Sequence, residues 1–125
     1  VFQNQVRDNQ SLTITSDGEQ RRDFTHVDDI VDGLIKCGDG LLGEGSSVVN
    51  GEEFELGRGV NFSINEVADM FGEDYPREYL PLRKGEYDKT LCTDTKAKEL
   101  LGWNPTRNLN DYMKDFVETE RFLNE

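Results

Sequence analysis

Arg22 is the residue best placed in this sequence to hold an anion, because of what flanks it. It lies in the stretch from Gln20 to Cys37, QRRDFTHVDDIVDGLIKC. Arg22 to Val27 reads as a short strand of β-branched and aromatic residues. Asp28 then starts a helix whose apolar positions Ile30, Val31, Leu34 and Ile35 recur at helical spacing. An arginine delivered by a strand just before a helix is fixed at the rim of a cleft, where its planar, permanently charged fork suits a phosphate. The plain alternative is an ion pair with Asp23, Asp28 or Asp29, and charge spacing alone favours that pair.

Other chemistry-bearing types are sparse. His26 is the one histidine and has no Ser or Cys nucleophile context, so it reads as a strand residue facing solvent or a neighbouring acid. Cys37 and Cys92 sit in apolar or strand-like settings and read as reduced and buried or half-buried; neither a disulfide nor a zinc site is expected. Gly38, Gly40 and Gly43 spell G-x-G-x-x-G, but they follow a helix instead of linking a strand to one. Residues 38–52, GDGLLGEGSSVVNGE, therefore read as a surface loop in which Gly38 stops the preceding helix.

The 125 residues suffice for one modest domain. With 26 acidic and 14 basic residues the net charge is −12, which argues against nucleic acid or an anionic membrane as the main partner. A nucleotide ligand stays compatible, because a few converging arginines make a local positive pocket. The sequence holds neither a run of 18 apolar residues nor a signal-peptide pattern. Val1 to Arg7 reads as a chain already inside a helix, so a piece of a longer protein is expected.

The elements that must position Arg22 follow from local signals. Residues 1–9 carry Phe2 and Val6 on one helical face; Leu12 to Thr15 is a strand and Ser16-Asp17-Gly18 a turn. Glu53 to Gly57 alternates as a strand, and Gly57-Arg58-Gly59 turns. Ser63 with Glu66 forms a capping box for a helix lined by Ile64, Val67, Ala68 and Phe71, with Gly72 at its end. Tyr75 to Leu82 is extended, Arg83 to Asp88 a polar loop and Thr90 to Thr93 a short strand. Asp94 caps a helix with Ala97, Leu100 and Leu101 inside, ended by Gly102, Trp103 and Pro105. Asn108 caps the last helix, whose stripe of Leu109, Tyr112, Met113, Phe116, Val117 and Leu123 reads as core, as does Trp103.

Three of these stretches together resemble a known family. Leu12 to Asp29, LTITSDGEQRRDFTHVDD, is similar to the pattern L-T-I-x-G-D-G-x-Q-x-R-D-F-x-x-V-x-D of the NAD-dependent sugar-nucleotide epimerases and dehydratases, extended short-chain dehydrogenases/reductases that include UDP-glucose 4-epimerase. Ser16 stands where that family usually has Gly. Phe54 to Gly59 with Phe62-Ser63-Ile64 resembles F-N-I-G-S-G…V-S-I, with Glu55 and Arg58 as departures. Leu82 to Trp103, LRKGEYDKTLCTDTKAKELLGW, resembles R-P-G-D/E-x-x-x-T-x-A-D-x-S-K-A-x-x-x-L-G-W, with Lys84 in place of Pro.

The resemblance implies an α/β fold, the C-terminal part of such an enzyme, with a few short strands, four to five helices and the cofactor-binding Rossmann half absent. It implies that residues 1–125 form a substrate-binding C-terminal domain fragment. In the family the strand at 53–57 and the helix at 28–37 lean on the cofactor domain's sheet. It assigns the substrate diphosphate to Arg22, and the nucleotide moiety to Arg83 and Glu86; by itself Arg83 reads as a solvated loop residue. The family reaction needs bound NAD and a Tyr-x-x-x-Lys pair, and none of Tyr75, Tyr79, Tyr87 and Tyr112 has Lys four residues on. Hence no catalytic, cofactor-binding or metal residue is expected here, and NAD is expected in the parent enzyme only. Expected partners are a nucleotide-sugar, the missing N-terminal cofactor domain and a second copy of the chain, in a cytoplasmic setting. The rival is a non-enzymatic acidic module that binds a protein.

Overall fold

Leu12 and Ile14 are the inward positions of β1 (Leu12–Thr15), and with Ala68 they are almost wholly shielded from solvent. The computed structural model of the chain describes residues 1–43 and 46–124. Those residues divide into two units, each gathered from separate segments of the sequence.

The first unit comprises Val1–Arg22, Asn61–Thr90 and Asn110–Glu125. In it β1 runs parallel to β4 (Arg77–Leu80), from Leu12 opposite Arg77 to Thr15 opposite Leu80. Alternation along β1 turns Leu12 and Ile14 to one side, where Phe2 and Val6 of α1 (Phe2–Arg7) pack with Ile64, Phe71 and Tyr75. Phe71 meets Phe2 and Phe116 edge-on, each at 5.8 Å between ring centres. Met113 and Phe116 are the buried positions of α6 (Leu109–Leu123). Tyr112, expected in the core, is instead 43% exposed and accepts a hydrogen bond from Gln3; Leu123 is exposed as well. The capping box forms as expected on α4 (Ile64–Asp69): Ser63 Oγ accepts from the Glu66 amide at 3.0 Å, and Glu66 Oε2 accepts from the Ser63 amide at 2.9 Å.

Arg21 and Arg22 belong to this unit and lie on β2 (Arg21–Asp23), which pairs with β3 (Asn61–Ser63). The strand expected over Arg22–Val27 thus ends at Asp23. His26 is not a strand residue: it is the N-cap of the following helix, and its Nδ1 accepts from the Asp28 amide at 3.0 Å.

The second unit comprises Asp23–Val60 and Leu91–Leu109. Its helix α2 (Val27–Leu42) continues through Gly38 and Gly40, so the stop at Gly38 and the loop reading from 38 onward are corrected. Glycine inside a helix costs only about 1 kcal/mol. Gly40 also has a packing reason, since a Cβ there would come within 2.9 Å of Val49 on α3 (Ser46–Val49). Glu44 and Gly45, part of the same expected loop, lie outside the described residues. Gly33 is buried in α2 for a similar cause: a Cβ would meet Leu56 Cδ1 at 2.6 Å and Trp103 Nε1 at 3.2 Å. The remaining helix, α5 (Lys96–Leu101), has Thr95 and not the expected Asp94 at its N-cap, although the Asp94 carboxylate accepts from the Lys96 amide; it ends at Gly102 with a φ of 64°.

Neither Glu53–Gly57 nor Thr90–Thr93 is a strand. Phe54 and Leu56 are half-buried, with Glu53 and Glu55 exposed beside them, but no described strand pairs with them. The Cys92 amide goes to a side chain instead of a ladder. The expected apolar stripe of α2 is largely open to solvent, with Val31 44%, Leu34 61% and Ile35 56% exposed. Among the described residues no helix is long and apolar enough to cross a membrane.

Candidate functional site

Glu86 gathers the candidate site. It follows a turn in which Gly85 takes a φ of 85°, a conformation that L side chains rarely adopt, and its own amide donates to the Arg83 carbonyl at 3.3 Å. Its Oε1 lies 3.6 Å from Arg22 Nη2. Its Oε2 accepts the Thr15 hydroxyl at 2.9 Å. Gln20 Nε2 donates to the Thr15 carbonyl at 3.0 Å and to Thr15 Oγ1 at 3.2 Å, and reaches Glu86 Oε1 at 3.5 Å. Arg22 steadies its own fork by donating from Nη1 to the Arg21 carbonyl at 2.8 Å.

Arg22 therefore pairs with Glu86 and not with the local acids Asp23, Asp28 or Asp29. The ionic partner comes from a distant motif, which local spacing could not show. Arg83 sits three residues before Glu86 in the same loop; its side chain is exposed and has no hydrogen-bonding or charged partner among the described residues. Beside Glu86 lies an open depression of about 250 Å³ lined by Ser16, Asp17, Glu19, Gln20, Leu82, Glu86, Tyr87 and Asp88. An arginine fork held next to a carboxylate that can accept hydroxyl groups suits a ligand carrying both phosphate and sugar hydroxyls.

The 16–18 turn on its rim is held tightly. Asn65 Nδ2 donates to the Asp17 carbonyl at 2.9 Å and to Glu19 Oε1 at 2.6 Å, and its own amide donates to the Gly18 carbonyl at 3.0 Å. Ser16, the departure from the family's Gly, has a φ of 59°, in the left-handed region where a side chain costs about 1–2 kcal/mol.

The second unit shows what the other acids of the R-D-F-x-x-V-x-D stretch do, a role that sequence reasoning missed. Asp23 accepts three backbone amides: Arg58 at 3.1 Å, Gly59 at 2.9 Å and Cys92 at 3.1 Å. Gly57 must lack a side chain for this, since a Cβ would fall 2.4 Å from Cys92 Cβ and 3.0 Å from Asp23 Oδ2. Asp29, 1% exposed, accepts the Arg107 amide at 3.1 Å and Arg107 Nη1 at 2.6 Å, and its carbonyl accepts the Trp103 indole at 2.7 Å. Burial pushes the Asp29 carboxyl up, but hydrogen bonds from the Arg107 backbone and guanidinium and from the Thr106 backbone outweigh it and hold the group below its ordinary range. No local signal marked either residue, because the amides and the guanidinium they hold lie 35 to 78 positions further along the chain.

Among the described residues no group of three or more His, Cys, Asp or Glu could hold a metal ion. A dinucleotide needs a glycine-lined turn from strand to helix. Gly38 and Gly40 lie inside α2, with the space at Gly40 filled by Val49, so these residues do not fit one.

Comparison with known proteins finds relatives along nearly the whole chain. The sequence model of the family described as GDP-mannose 4,6 dehydratase matches residues 1–116. UDP-glucuronate 4-epimerase of Thermodesulfobacterium geofontis is 33% identical over 117 residues, covering 90% of this chain and 34% of the relative. UDP-glucose 4-epimerase of Mycolicibacterium smegmatis is 30% identical over 122 residues, covering 94% of this chain and 37% of the relative. Among solved structures, UDP-glucuronic acid 4-epimerase from Bacillus cereus, in complex with UDP-glucuronic acid and NAD, matches with a TM-score of 0.78 at 28% identity, over 94% of this chain and 38% of that one. UDP-glucose 4-epimerase from Thermotoga maritima, with UDP-glucose, matches with a TM-score of 0.75 at 30% identity, over 99% and 39%. The chain thus spans little more than a third of the length of the relatives it matches. With the family matched along nearly its whole length, the chain belongs to the NAD-dependent sugar-nucleotide epimerases and dehydratases.

Proposed function

We propose that this chain supplies the nucleotide-sugar-binding part of a cytoplasmic NAD-dependent epimerase or dehydratase, an isomerase or lyase of carbohydrate metabolism. Arg22 and Arg83 hold the substrate diphosphate, and Glu86 accepts hydroxyls on the nucleotide side. The observation that carries this reading is the meeting of Arg22 and Glu86, from two motifs far apart in sequence, at 3.6 Å, with Glu86 alone of the pair lining an open depression. Residues 1–125 act as one substrate-binding portion, completed by a cofactor domain that brings NAD and the Tyr-x-x-x-Lys pair; by itself this chain binds no NAD and turns over no sugar nucleotide.

Titration of the purified chain with UDP-glucose, followed by calorimetry, tests the assignment. Arg22→Ala and Arg83→Ala should each weaken binding by about 1.5–3 kcal/mol, the typical worth of a hydrogen bond to a charged group. Lys84→Ala should change it little. Equal affinity in wild type and both arginine variants would refute the assignment, as would reduction of added NAD by the purified chain.

A second reading is an acidic module that binds a protein or a second copy of itself. The observation favouring it is the open apolar stripe of α2, together with Glu55, Arg58 and Lys84 standing where the family has other residues.

A further inference from the structure

The loop that carries Arg83 is fastened by one side chain. Backbone bonds fix its two ends: the Ser16 amide donates to the Leu80 carbonyl at 2.8 Å, and the Arg21 amide to the Asp88 carbonyl at 2.8 Å. Between Pro81 and Tyr87, Glu86 is the only residue among those described whose side chain has a hydrogen-bonding or ionic partner. Arg83, Lys84 and Leu82 are exposed, and Tyr87 is 76% exposed.

The partners of Glu86 are themselves locked. Gln20 is 9% exposed, and its Nε2 spans the Thr15 carbonyl, the Thr15 hydroxyl and Glu86. Its Oε1 is buried with no partner. A flipped amide would put that oxygen against the Thr15 carbonyl and the Glu86 carboxylate, repelling both. The amide therefore keeps its donors on Thr15 and Glu86 at the expense of an unsatisfied acceptor. Thr15 in turn receives from Gln20 and donates to Glu86, so its hydroxyl relays one orientation through to the carboxylate. Position 15 is one the family pattern leaves open.

We propose that Thr15 and Gln20 are positioning residues, which set the Glu86 carboxylate against Arg22 and so dock the Arg83 loop in the conformation that receives the nucleotide. The proposal rests on the assignment of Arg22, Arg83 and Glu86 to the substrate. Thr15→Val keeps the shape and removes the hydroxyl; Thr15→Ser keeps the hydroxyl. Two readouts on the purified chain separate the loop from the ligand. The first is the initial rate of tryptic cleavage after Arg83 and Lys84, with cleavage after Lys98 in α5 as internal reference. The second is the affinity for UDP by calorimetry.

Thr15→Val should raise cleavage at Arg83 and Lys84 by about fivefold to tenfold relative to Lys98, and should weaken UDP by roughly tenfold, the effect of losing one hydrogen bond to a charged group. Thr15→Ser should restore both. Unchanged relative cleavage in Thr15→Val overturns the proposal, and so does a rise that Thr15→Ser fails to reverse, because the hydroxyl is then not the cause. If the wild-type chain itself ignores UDP, the assignment of Arg22, Arg83 and Glu86 to the substrate fails, and the cleavage rates still decide whether Thr15 docks the loop.

Discussion

Asp29→Asn removes one charge at a site shielded from water and leaves the volume almost unchanged. In the wild type the carboxylate accepts the Arg107 amide and Arg107 Nη1, and its side chain is 2% exposed while that of Arg107 is 42% exposed. An asparagine can present one oxygen, but its NH₂ then faces another donor. Breaking a fully buried ion pair costs about 3–5 kcal/mol. Solvent around Arg107 reduces that, and the loss of one charge-assisted bond sets an expected cost of about 2–3 kcal/mol. Burial opposes the Asp29 charge, the Arg107 and Thr106 hydrogen bonds favour it, and the net folded-state value is lowered. A lowered value means that Asp29 stabilises the fold at pH above its unfolded value, about 3.9, and that this contribution is lost as pH falls through the folded value. Urea unfolding of wild type and variant should give a constant difference from pH 7 down to about pH 5, and a shrinking one below about pH 4. A variant within about 0.5 kcal/mol of wild type at pH 7 would refute the reasoning. So would a difference as large at pH 3 as at pH 7.

Asp23→Ala leaves the amides of Arg58, Gly59 and Cys92 without their acceptor and should destabilise the second unit by about 3 kcal/mol; hydrogen exchange should speed up at those three amides first, and uniform acceleration would count against a local role. The open stripe of α2 should make purified chains associate at physiological salt and less so at low salt, where the −12 charge per chain is poorly screened. Sedimentation at both salts, with Leu34→Lys as control, tests this; a clean monomer at tens of micromolar in both would refute it.

Where a signal was local, the sequence was readable. The Ser63–Glu66 box, the strand at Leu12–Thr15 and the left-handed Gly102 all follow from neighbours within a few residues. Gly38 misled because a glycine marks a helix end only when the ladder behind it stops; here α2 packs through Gly40 onto Val49 and continues. Glu53–Gly57 has the period of a strand without a described partner, and period alone cannot supply a ladder. At the site, Arg22 was visible by type and position, yet its partner was not: three nearby aspartates offered equal charge, and only folding brings Glu86 to it. Arg107 drew no attention because its partner, Asp29, lies at the far end of the second unit's sequence.

The interleaving of segments in the two units bears on how the chain is made and cut. The first unit needs residues 110–125 and the second needs residues 91–109, so neither is complete until those segments have been made. A nascent chain released only as far as Val60 has the Asp23 carboxylate in place but lacks the Cys92 amide and the Arg107 partner of Asp29. Closure over such separations is slow, and incompletely packed chains are aggregation-prone while they wait. The same interleaving means that no single proteolytic cut or end truncation can free either unit whole. A division of this chain for expression would have to excise the other unit's segments and bridge each gap with an engineered linker.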